Sequence, residues 1–486
     1  MNFNSLGFLL VFLPVTLIIY WWQRRKDRND ASVIFLVLAS LVFYGVSSPE
    51  GLPILLLSFA ANYCLAKLLF GKKSRALLWV GIVFDVLVLC ISKYTKLFAA
   101  PGISFYTFGE IALLVEVYRS TVESLTLKEY GFLMTFFPKM IQGPITVPKD
   151  ILPQLKSVKE NSNTTLSWEK IYRSLLLFSF GMFKKVIIAD TLGKAVNLGF
   201  DTLNSMHTGE ALVIMLSYTL QLYFDFSGYC DMAMAVASFF GFELPLNFNS
   251  PYKAKNIDDF WKRWHISLTK FFTTYLYIPL GGNRKGTVRT YINFLIIFFV
   301  SGLWHGAGWQ FIIWGMMHGV LYVITRMIMN RFGEKKESQT GETSEKSLKA
   351  RKSVLGGIGT FFTFLYVNVA WVFFRAPSVS EALHLFKDMG ECWFPRFNKD
   401  LANCFNIDEF WYVIKLLHID RWEYGIYILM FMILVACLIM VFFFPNAVDY
   451  CKTCKIGIFT TVVMTVLIIW CVLSFEGVAT YLYVNF

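Results

Sequence analysis

Charged side chains are scarce in this chain of 486 residues, and their scarcity excludes most soluble folds. Asp, Glu, Lys and Arg make up 16% of the sequence, whereas an average soluble domain contains about 25%. Alternating segments of about ten residues, which a membrane β-barrel requires, are missing. Instead, apolar runs of about 20 residues recur, and that is the length an α-helix needs to cross a bilayer. The composition therefore predicts an all-α polytopic membrane protein.

The sequence also lacks a disulfide framework and an internal repeat. Its nine cysteines are scattered and lie mostly within apolar runs. Without a repeat, a transporter built from two inverted halves is disfavoured. The net charge of +12 sits mainly in short loops between apolar runs, where the positive-inside rule places Lys and Arg, so we expect no nucleic-acid partner. We treat residues 1–486 as a single domain embedded in the lipid bilayer.

Three apolar runs are too short or too polar to cross a membrane, at 102–118, 128–145 and 258–280. We expect these to be re-entrant or interfacial pieces, which leaves about eleven transmembrane helices. Proline and glycine interrupt apolar sequence at 136–148 and 279–286, and irregular backbone survives at membrane depth only inside protein or beside a water-filled cavity. The pattern predicts a broken, funnel-like core inside a ring of spanning helices.

The charges of the loops predict which side of the membrane each loop faces. The basic string QRRKDR follows the first apolar run, so we expect the N-terminus to lie outside the cytoplasm. The basic, weakly hydrophobic segment 328–353 is expected to be a cytoplasmic linker. Residues 377–423 hold eight acidic and five basic residues and are expected to face outward, with an amphipathic helix around 407–417.

Acidic residues are absent from 260 to 333, although this stretch holds eight Lys or Arg and three of the six histidines. Those histidines are His265, His305 and His318. An ionisable ring in sequence of this hydrophobicity is costly at membrane depth and marks a functional site by default. Because carboxylates are missing nearby, we expect a base that works on an anionic or electrophilic ligand, and no metal site.

His305 lies in the string SGLWHGAGW, where glycines strip side-chain bulk from around the ring. A ligand could therefore approach the backbone closely, although small residues also serve to pack membrane helices. A neutral imidazole is the natural proton acceptor for a hydroxyl that attacks an acyl group. We therefore predict that His305 is catalytic.

His265 lies in DDFWKRWHISLTKFF, where helical spacing places Trp261, His265, Leu268 and Phe272 on one face. This pattern predicts a residue that positions substrate, with the alternative of an interfacial helix anchored by aromatic rings. His318 follows His305 by 13 residues, about 140° away on one helix, so we predict a structural role for it and no shared metal.

Further candidates surround these histidines. Asp225 is a buried carboxylate in YFDFSGYC and either orients a catalytic imidazole or ties two helices together. Trp304, Trp261 and Asn293 are predicted to contact ligands. The cations Lys262, Arg263 and Arg284 are expected to hold phosphates of a cytosolic donor, although positive-inside orientation explains loop cations equally well.

Several strings between residues 100 and 320 resemble the membrane-bound O-acyltransferase (MBOAT) superfamily, and within it the bacterial alginate O-acetyltransferase (AlgI-like) branch. The matching strings are GISFYTF (102–108), FFPKMIQGPI (136–145), YFDFSGYCDMA (223–233), FWKRWHISL and YLYIPLGGNRKG (within 260–286), and SGLWHGAGWQFIIWGMMHG (301–319). The strings follow the family's order along the chain. One departure is the pair Thr273 and Thr274, which stands where relatives often have Arg-Asp.

The resemblance implies that His305 is the superfamily's histidine, set in a tunnel across the bacterial plasma (inner) membrane, and that His265 is the histidine of its WHxSL string. It also implies acetyl-CoA as the donor, with no bound cofactor. The acceptor would be an exported polysaccharide, reached through an extracytoplasmic partner acetyltransferase protein. Two alternatives stay open: D-alanyl transfer for teichoic acid within the same superfamily, and a flippase or transporter of lipid-linked glycans.

Overall fold

A computed structural model describes residues 1–95, 100–160, 166–202, 206–333, 345–391, 397–407, 415–416 and 424–475. All regular secondary structure in these ranges is helical, which confirms the predicted all-α class. The helices that precede the histidine-bearing stretch are α1 (Leu13–Arg25), α2 (Asn29–Ser47), α3 (Leu52–Gly71), α4 (Arg75–Thr95), α5 (Ile103–Tyr118), α6 (Leu127–Thr135), α7 (Phe137–Met140), α8 (Pro148–Glu160), α9 (Trp168–Met182), α10 (Asp190–Asp201) and α11 (Thr208–Phe239).

The remaining helices include the predicted site and the C-terminal third of the chain. They are α12 (Ile257–Trp261), α13 (Ile266–Phe272), α14 (Thr287–His305), α15 (Trp309–Gly333), α16 (Glu345–Arg375), α17 (Val379–Glu391), α18 (Lys399–Asn403), α19 (Gly425–Phe443), α20 (Ala447–Thr453) and α21 (Ile458–Leu473). Short π-helical turns extend some of them, for example Thr273–Tyr277 after α13.

Eight helices in the described ranges are long and apolar enough to cross a membrane, fewer than the eleven or so predicted. They are α1 with the turn before it, α2, α3, α4, α14, α15, α16 from Leu355, and α19. One reason for the difference is α11, which is 32 residues long but carries Glu210, Asp225 and Asp231. The chain is a multi-pass membrane protein.

The three runs predicted not to span are indeed broken up or buried. The run at 102–118 forms α5, in which 13 of 16 residues are buried, so it lies in a protein interior and not at an interface. The run at 128–145 divides into α6 and α7, because Phe136 leaves the helical conformation, with φ −45° and ψ 108°, and Pro138 lies in the first turn of α7, where proline is favoured. The run at 258–280 divides at His265.

The chain forms two compact units, each assembled from separate stretches. The first comprises 1–186, 226–246 and 447–486. Within it, the buried carboxylate of Asp231 receives a hydrogen bond from Lys184 Nζ at 2.6 Å, which supplies the partner that a buried acid needs. In the same unit Tyr172 and Thr460 join α9 to α21 by a hydroxyl–hydroxyl hydrogen bond of 2.7 Å.

The second unit comprises 187–225 and 247–446 and contains all three histidines of the predicted site. Its centre is the hairpin of α14 and α15, against which α12 and α16 pack. Glycines allow the two hairpin helices to approach closely: a Cβ atom on Gly302 would lie 2.6 Å from the carbonyl oxygen of Phe311. A side chain at Gly315 would likewise collide with the carbonyl oxygen of Phe298.

Two predicted loop segments have different boundaries in the structure. The linker predicted at 328–353 is helical at both ends, because α15 continues to Gly333 and α16 begins at Glu345. Only 334–344 separate the two helices, and these residues lie outside the described ranges. In the segment 377–423, α17 and α18 were not predicted, and most of the helix expected around 407–417 falls outside the described residues.

Candidate active site

The amphipathic helix predicted through His265 is not continuous, so that prediction was wrong. α12 ends at Trp261 and α13 begins at Ile266, and His265 between them has φ 45° and ψ 55°, in the left-handed region. Few residues other than glycine adopt this conformation. Trp261 and His265 therefore do not share a helical face.

The side chain of Asn247 holds the break in place. Its Oδ1 lies 3.1 Å from His265 Nδ1 and accepts hydrogen bonds from Ser267 N at 3.1 Å and Ser267 Oγ at 2.9 Å. The backbone helps, because Ile266 N donates to Asn247 O at 2.9 Å. Burial lowers the pKa of His265 to about 3, so the ring is neutral near pH 7.

His305 is the last residue of α14 and is 3% exposed. Its ring packs between aromatic rings, with centroid distances of 4.5 Å to Trp304, 4.9 Å to Trp314 and 4.9 Å to Phe374. Trp304 also approaches His265, with the two centroids 6.4 Å apart. The structure therefore brings His305, the predicted base, and His265, the predicted positioning residue, next to the same tryptophan.

The glycines around His305 do not leave room for a ligand, contrary to the prediction. The space beside Gly302 is taken by the backbone of Phe311, and a Cβ atom on Gly306 would collide with the Phe311 ring. The space beside Gly308 is filled by the side chain of Gln310. These glycines pack α14 against α15 and the turn between them, which is the alternative weighed from the sequence.

His318 lies on α15 and not on the helix of His305, because α14 ends at the Gly306 turn. The ring of Trp314 separates the two histidines, with centroids 4.9 Å from His305 and 5.1 Å from His318. His318 is fully buried, and neither of its ring nitrogens has a hydrogen-bond partner among the described residues. This environment fits the predicted structural role. The described part of the chain contains no group of three or more His, Cys, Asp or Glu arranged to hold a metal ion.

Acidic side chains from outside the acid-free stretch pair with two of its cations, and the role of Lys262 and Arg263 in holding donor phosphates stays a prediction. Lys262 Nζ lies 2.6 Å from Asp258 Oδ2, and Arg263 Nε lies 2.8 Å from Asp259 Oδ1. Both carboxylates come from residues just upstream of the stretch. Arg326 Nη2 also reaches Asp258, 3.0 Å from Oδ1.

The residues predicted to contact ligands have different surroundings: some stabilise loops, and others are exposed. Arg263 also contacts the backbone oxygen of Asn249 at 3.3 Å, so its guanidinium stabilises the loop. Asn293 is buried and donates to Gly282 O at 3.0 Å, which anchors a glycine turn. Arg284 lies exposed in that turn region. Asp225 is buried on α11, and its role as an orienting residue stays a prediction.

A cavity of about 460 Å³ lies beside α12, α13 and the α14–α15 hairpin. Its walls are largely apolar, and one end is charged. The wall residues include Trp261, Leu268, Phe272, Ile297 and Phe298, and the charged end holds Asp258, Lys262, Tyr322 and Arg326.

The opposite end of the cavity reaches Ser301, one turn before His305 on α14. Arg326 belongs to the charged end, and its guanidinium lies 6.0 Å from the ring of Phe294, so Phe294 marks the position of that end along α14. Seven residues of helix separate Phe294 from Ser301, which corresponds to about 10 Å. The His305 ring itself is not among the residues that line this cavity.

Asp258, Tyr322 and Arg326 were not predicted as site residues. Arg326 is the one cation inside the apolar run 305–327, and a lone charge in such a run signals a partner. Asp258 precedes Lys262 by four residues, the spacing of a helical ion pair. Both signals were present in the sequence.

Comparison with known proteins decides the family of this chain. Residues 7–369 match the model of the MBOAT, membrane-bound O-acyltransferase, family. The chain belongs to the membrane-bound O-acyltransferase family. This confirms the resemblance carried by the six strings and makes the protein an O-acyltransferase, which favours an enzyme over the flippase alternative.

The relatives of this membrane-bound O-acyltransferase include proteins named for the transfer of acetyl or D-alanyl groups. It is 36% identical over 435 residues to the peptidoglycan O-acetyltransferase of Helicobacter pylori, covering 80% of this chain and 79% of the relative. It is 34% identical over 417 residues to the protein named probable alginate O-acetylase AlgI of Pseudomonas aeruginosa, covering 80% and 75%. A teichoic acid D-alanyltransferase of Streptococcus thermophilus is 27% identical over 291 residues, covering 56% and 67%.

Proposed function

We propose that this membrane-bound O-acyltransferase carries an acetyl group from acetyl-CoA in the cytoplasm to a hydroxyl on the other side of the bacterial inner membrane. The acceptor is an exported polysaccharide or a partner acetyltransferase protein outside the cytoplasm. The identities of 34 to 36% to relatives named for O-acetyl transfer support the acetyl group as cargo. The single observation that carries the proposal is the cavity, whose far end lies one helical turn from His305.

The donor enters the cavity at its charged end. The stretch 326–353, which runs from the end of α15 into α16, holds eight basic and four acidic residues, and basic segments beside membrane helices stay in the cytoplasm, so we assign the Arg326 end to the cytoplasmic side. The apolar walls, including Trp261 and Phe298, suit the alkyl and amide arm of a thioester better than they suit water. The Nε1 of Trp261 makes no hydrogen bond within the described ranges, so it can donate to an amide oxygen of the donor.

His305 then acts as general base. Its imidazole takes the proton of the acceptor hydroxyl while the hydroxyl oxygen attacks the thioester carbonyl carbon. When the carbon–sulfur bond breaks, the imidazolium returns the proton to the leaving thiolate, so atoms and charge balance. Trp304 contacts both His305 and His265. We assign to Trp304 and His265 the orientation of the His305 ring and of the acceptor hydroxyl.

The decisive experiment follows labelled acetyl groups from acetyl-CoA into membranes that hold the full-length chain. We expect His305→Ala to lower transfer by about 10²–10⁴-fold, the usual contribution of a general base. The matched control is His384→Ala, because His384 is exposed on α17 and outside the cavity. Equal activity of the His305 variant and the wild type would disprove the assignment.

D-alanyl transfer is the second candidate, and two relatives favour it. The teichoic acid D-alanyltransferases of Streptococcus thermophilus and Bacillus subtilis are 27% and 29% identical to this chain. The same assay, supplied with D-alanine on a carrier protein, discriminates between the two donors. Faster transfer of D-alanine than of acetyl would replace the acetyl proposal.

A further inference from the structure

The charged end of the cavity holds one carboxylate between two cations. Asp258 is 2% exposed, and its two oxygens lie 2.6 Å from Lys262 Nζ and 3.0 Å from Arg326 Nη2. A carboxylate removed from water needs such partners, and here it has two. Counting formal charges, the group carries a net charge of +1.

Asp258 and Tyr322 both contact the guanidinium of Arg326, which has a further N–H donor that they do not use. Its Nη2 donates to the hydroxyl of Tyr322 at 3.2 Å and faces Asp258. Its Nε makes no hydrogen bond to any residue that the structure describes. A guanidinium has five N–H donors in a fixed fork, so an immobilised Arg326 with an unused donor is prepared for an oxygen-rich anion.

The cations differ in their freedom. The Lys262 side chain is 61% exposed and the Arg326 side chain 34% exposed, so Lys262 can turn toward solvent while Arg326 stays beside the cavity. Asp258 fixes the position of Arg326 and cancels one of the two positive charges. The remaining charge matches a monoanionic phosphodiester or one charge of a phosphomonoester.

We infer that Asp258, Lys262 and Arg326 form a phosphate-recognition latch, in which Arg326 binds the phosphate of a phosphopantetheine thioester and Asp258 is the positioning residue. The inference rests on the proposed function, because it assigns the donor to this cavity. The geometry agrees: α14 lines the cavity from Phe294, whose ring lies 6.0 Å from the Arg326 guanidinium, to Ser301, and a pantetheine arm can follow this helix rise of about 10 Å. Both coenzyme A and an acyl carrier protein present this phosphate, so the latch recognises chemistry shared by both.

The test measures binding by the full-length protein in lipid nanodiscs, with phosphopantetheine and pantetheine as the paired probes. These two compounds differ only in the phosphate. Wild type should bind phosphopantetheine about 10- to 100-fold more tightly, since hydrogen bonds to charged groups contribute this much. Arg326→Gln should abolish the difference by weakening phosphopantetheine alone, and Arg326→Lys should restore part of it.

Arg331→Gln is the matched control, because Arg331 is an exposed cation further along α15 and does not line the cavity. Lys262→Gln is a second variant, in which Arg326 still pairs with the buried carboxylate of Asp258, and it should weaken the binding of phosphopantetheine about 3- to 10-fold. The thermal midpoint of each variant is recorded, so that loss of fold is not mistaken for loss of affinity.

Two further probes distinguish the sources of the phosphate. If coenzyme A and phosphopantetheine bind with equal affinity, Arg326 recognises the phosphate of the pantetheine arm alone. Much tighter binding of a phosphopantetheinylated carrier protein would identify the carrier protein as the donor. If Arg326→Gln weakens phosphopantetheine and pantetheine equally, or if wild type does not distinguish them, the latch is refuted. That result is separable from failure of the proposed function, which is tested by acetyl transfer and not by binding.

Discussion

Asn247 fixes the backbone of His265 in a left-handed conformation, with 3.1 Å between Asn247 Oδ1 and His265 Nδ1. The same oxygen accepts two hydrogen bonds from Ser267, so one buried amide holds both the histidine and the first turn of α13. A left-handed residue other than glycine costs about 1–3 kcal/mol and persists only when its surroundings determine it. Asn247 is the residue that does so here.

We expect Asn247→Ala to destabilise the protein by about 1–3 kcal/mol, because it leaves buried donors of Ser267 without their acceptor. The measurement is the midpoint of thermal unfolding in detergent, together with acetyl transfer. Asn330→Ala is the control, since the exposed Asn330 makes only a 3.4 Å hydrogen bond to Tyr291. Equal midpoints for the Asn247 variant and the wild type would show that the left-handed turn is maintained by other contacts.

The burial of His265 predicts how stability depends on pH. Its pKa is lowered to about 3 in the folded protein, whereas an unfolded chain protonates at its ordinary value of 6.5. Between these values the unfolded state binds the extra proton, so stability falls as the pH drops below 6.5. At pH 5 the loss attributable to this ring is about 2 kcal/mol.

The corresponding measurement compares thermal midpoints of wild type and His265→Gln between pH 7.5 and 5. The variant lacks the titrating ring, so its midpoint should fall less steeply with acid, whatever its absolute stability. Parallel curves would mean that His265 does not stay neutral in the folded state.

Ser301 tests whether the acetyl group passes directly to the acceptor. It lines the cavity one turn before His305 and is the one hydroxyl on α14 that could form an acyl-enzyme there. For direct transfer we expect Ser301→Ala to keep activity within about threefold of wild type, since no bond to Ser301 is made or broken. Activity as low as that of His305→Ala, measured with labelled acetyl-CoA, would instead indicate a covalent intermediate.

The sequence allowed the class of the protein and its family to be predicted, because both depend on local patterns. Long apolar runs give membrane helices, and the strings around His265 and His305 are unbroken in the chain. Partners far along the chain could not be predicted in the same way. The i,i+4 spacing of Asp258 and Lys262 is a local signal of an ion pair, but Asp258 and Arg326 meet across 68 positions, and no local pattern pairs those two residues.

Breaks in helices were the second source of error. A period of 3.6 residues fits DDFWKRWHISLTKFF well, but the Asn247 side chain, 18 positions upstream, competes successfully with the helical ladder. Likewise, the angle between His305 and His318 was calculated for one helix, whereas the turn at Gly306 places them on two. In both cases tertiary hydrogen bonding or packing determined the backbone where local propensity would have continued it.

The ion pair between Asp258 and Arg326 also has a mechanical meaning. Asp258 belongs to α12, which carries Trp261, and Arg326 belongs to α15, so the aromatic wall and the charged rim move as one piece. A ligand that displaces the Arg326 guanidinium therefore also shifts the indole of Trp261. The cavity cannot widen by movement of α12 alone, because that movement would first have to break the ion pair between Asp258 and Arg326.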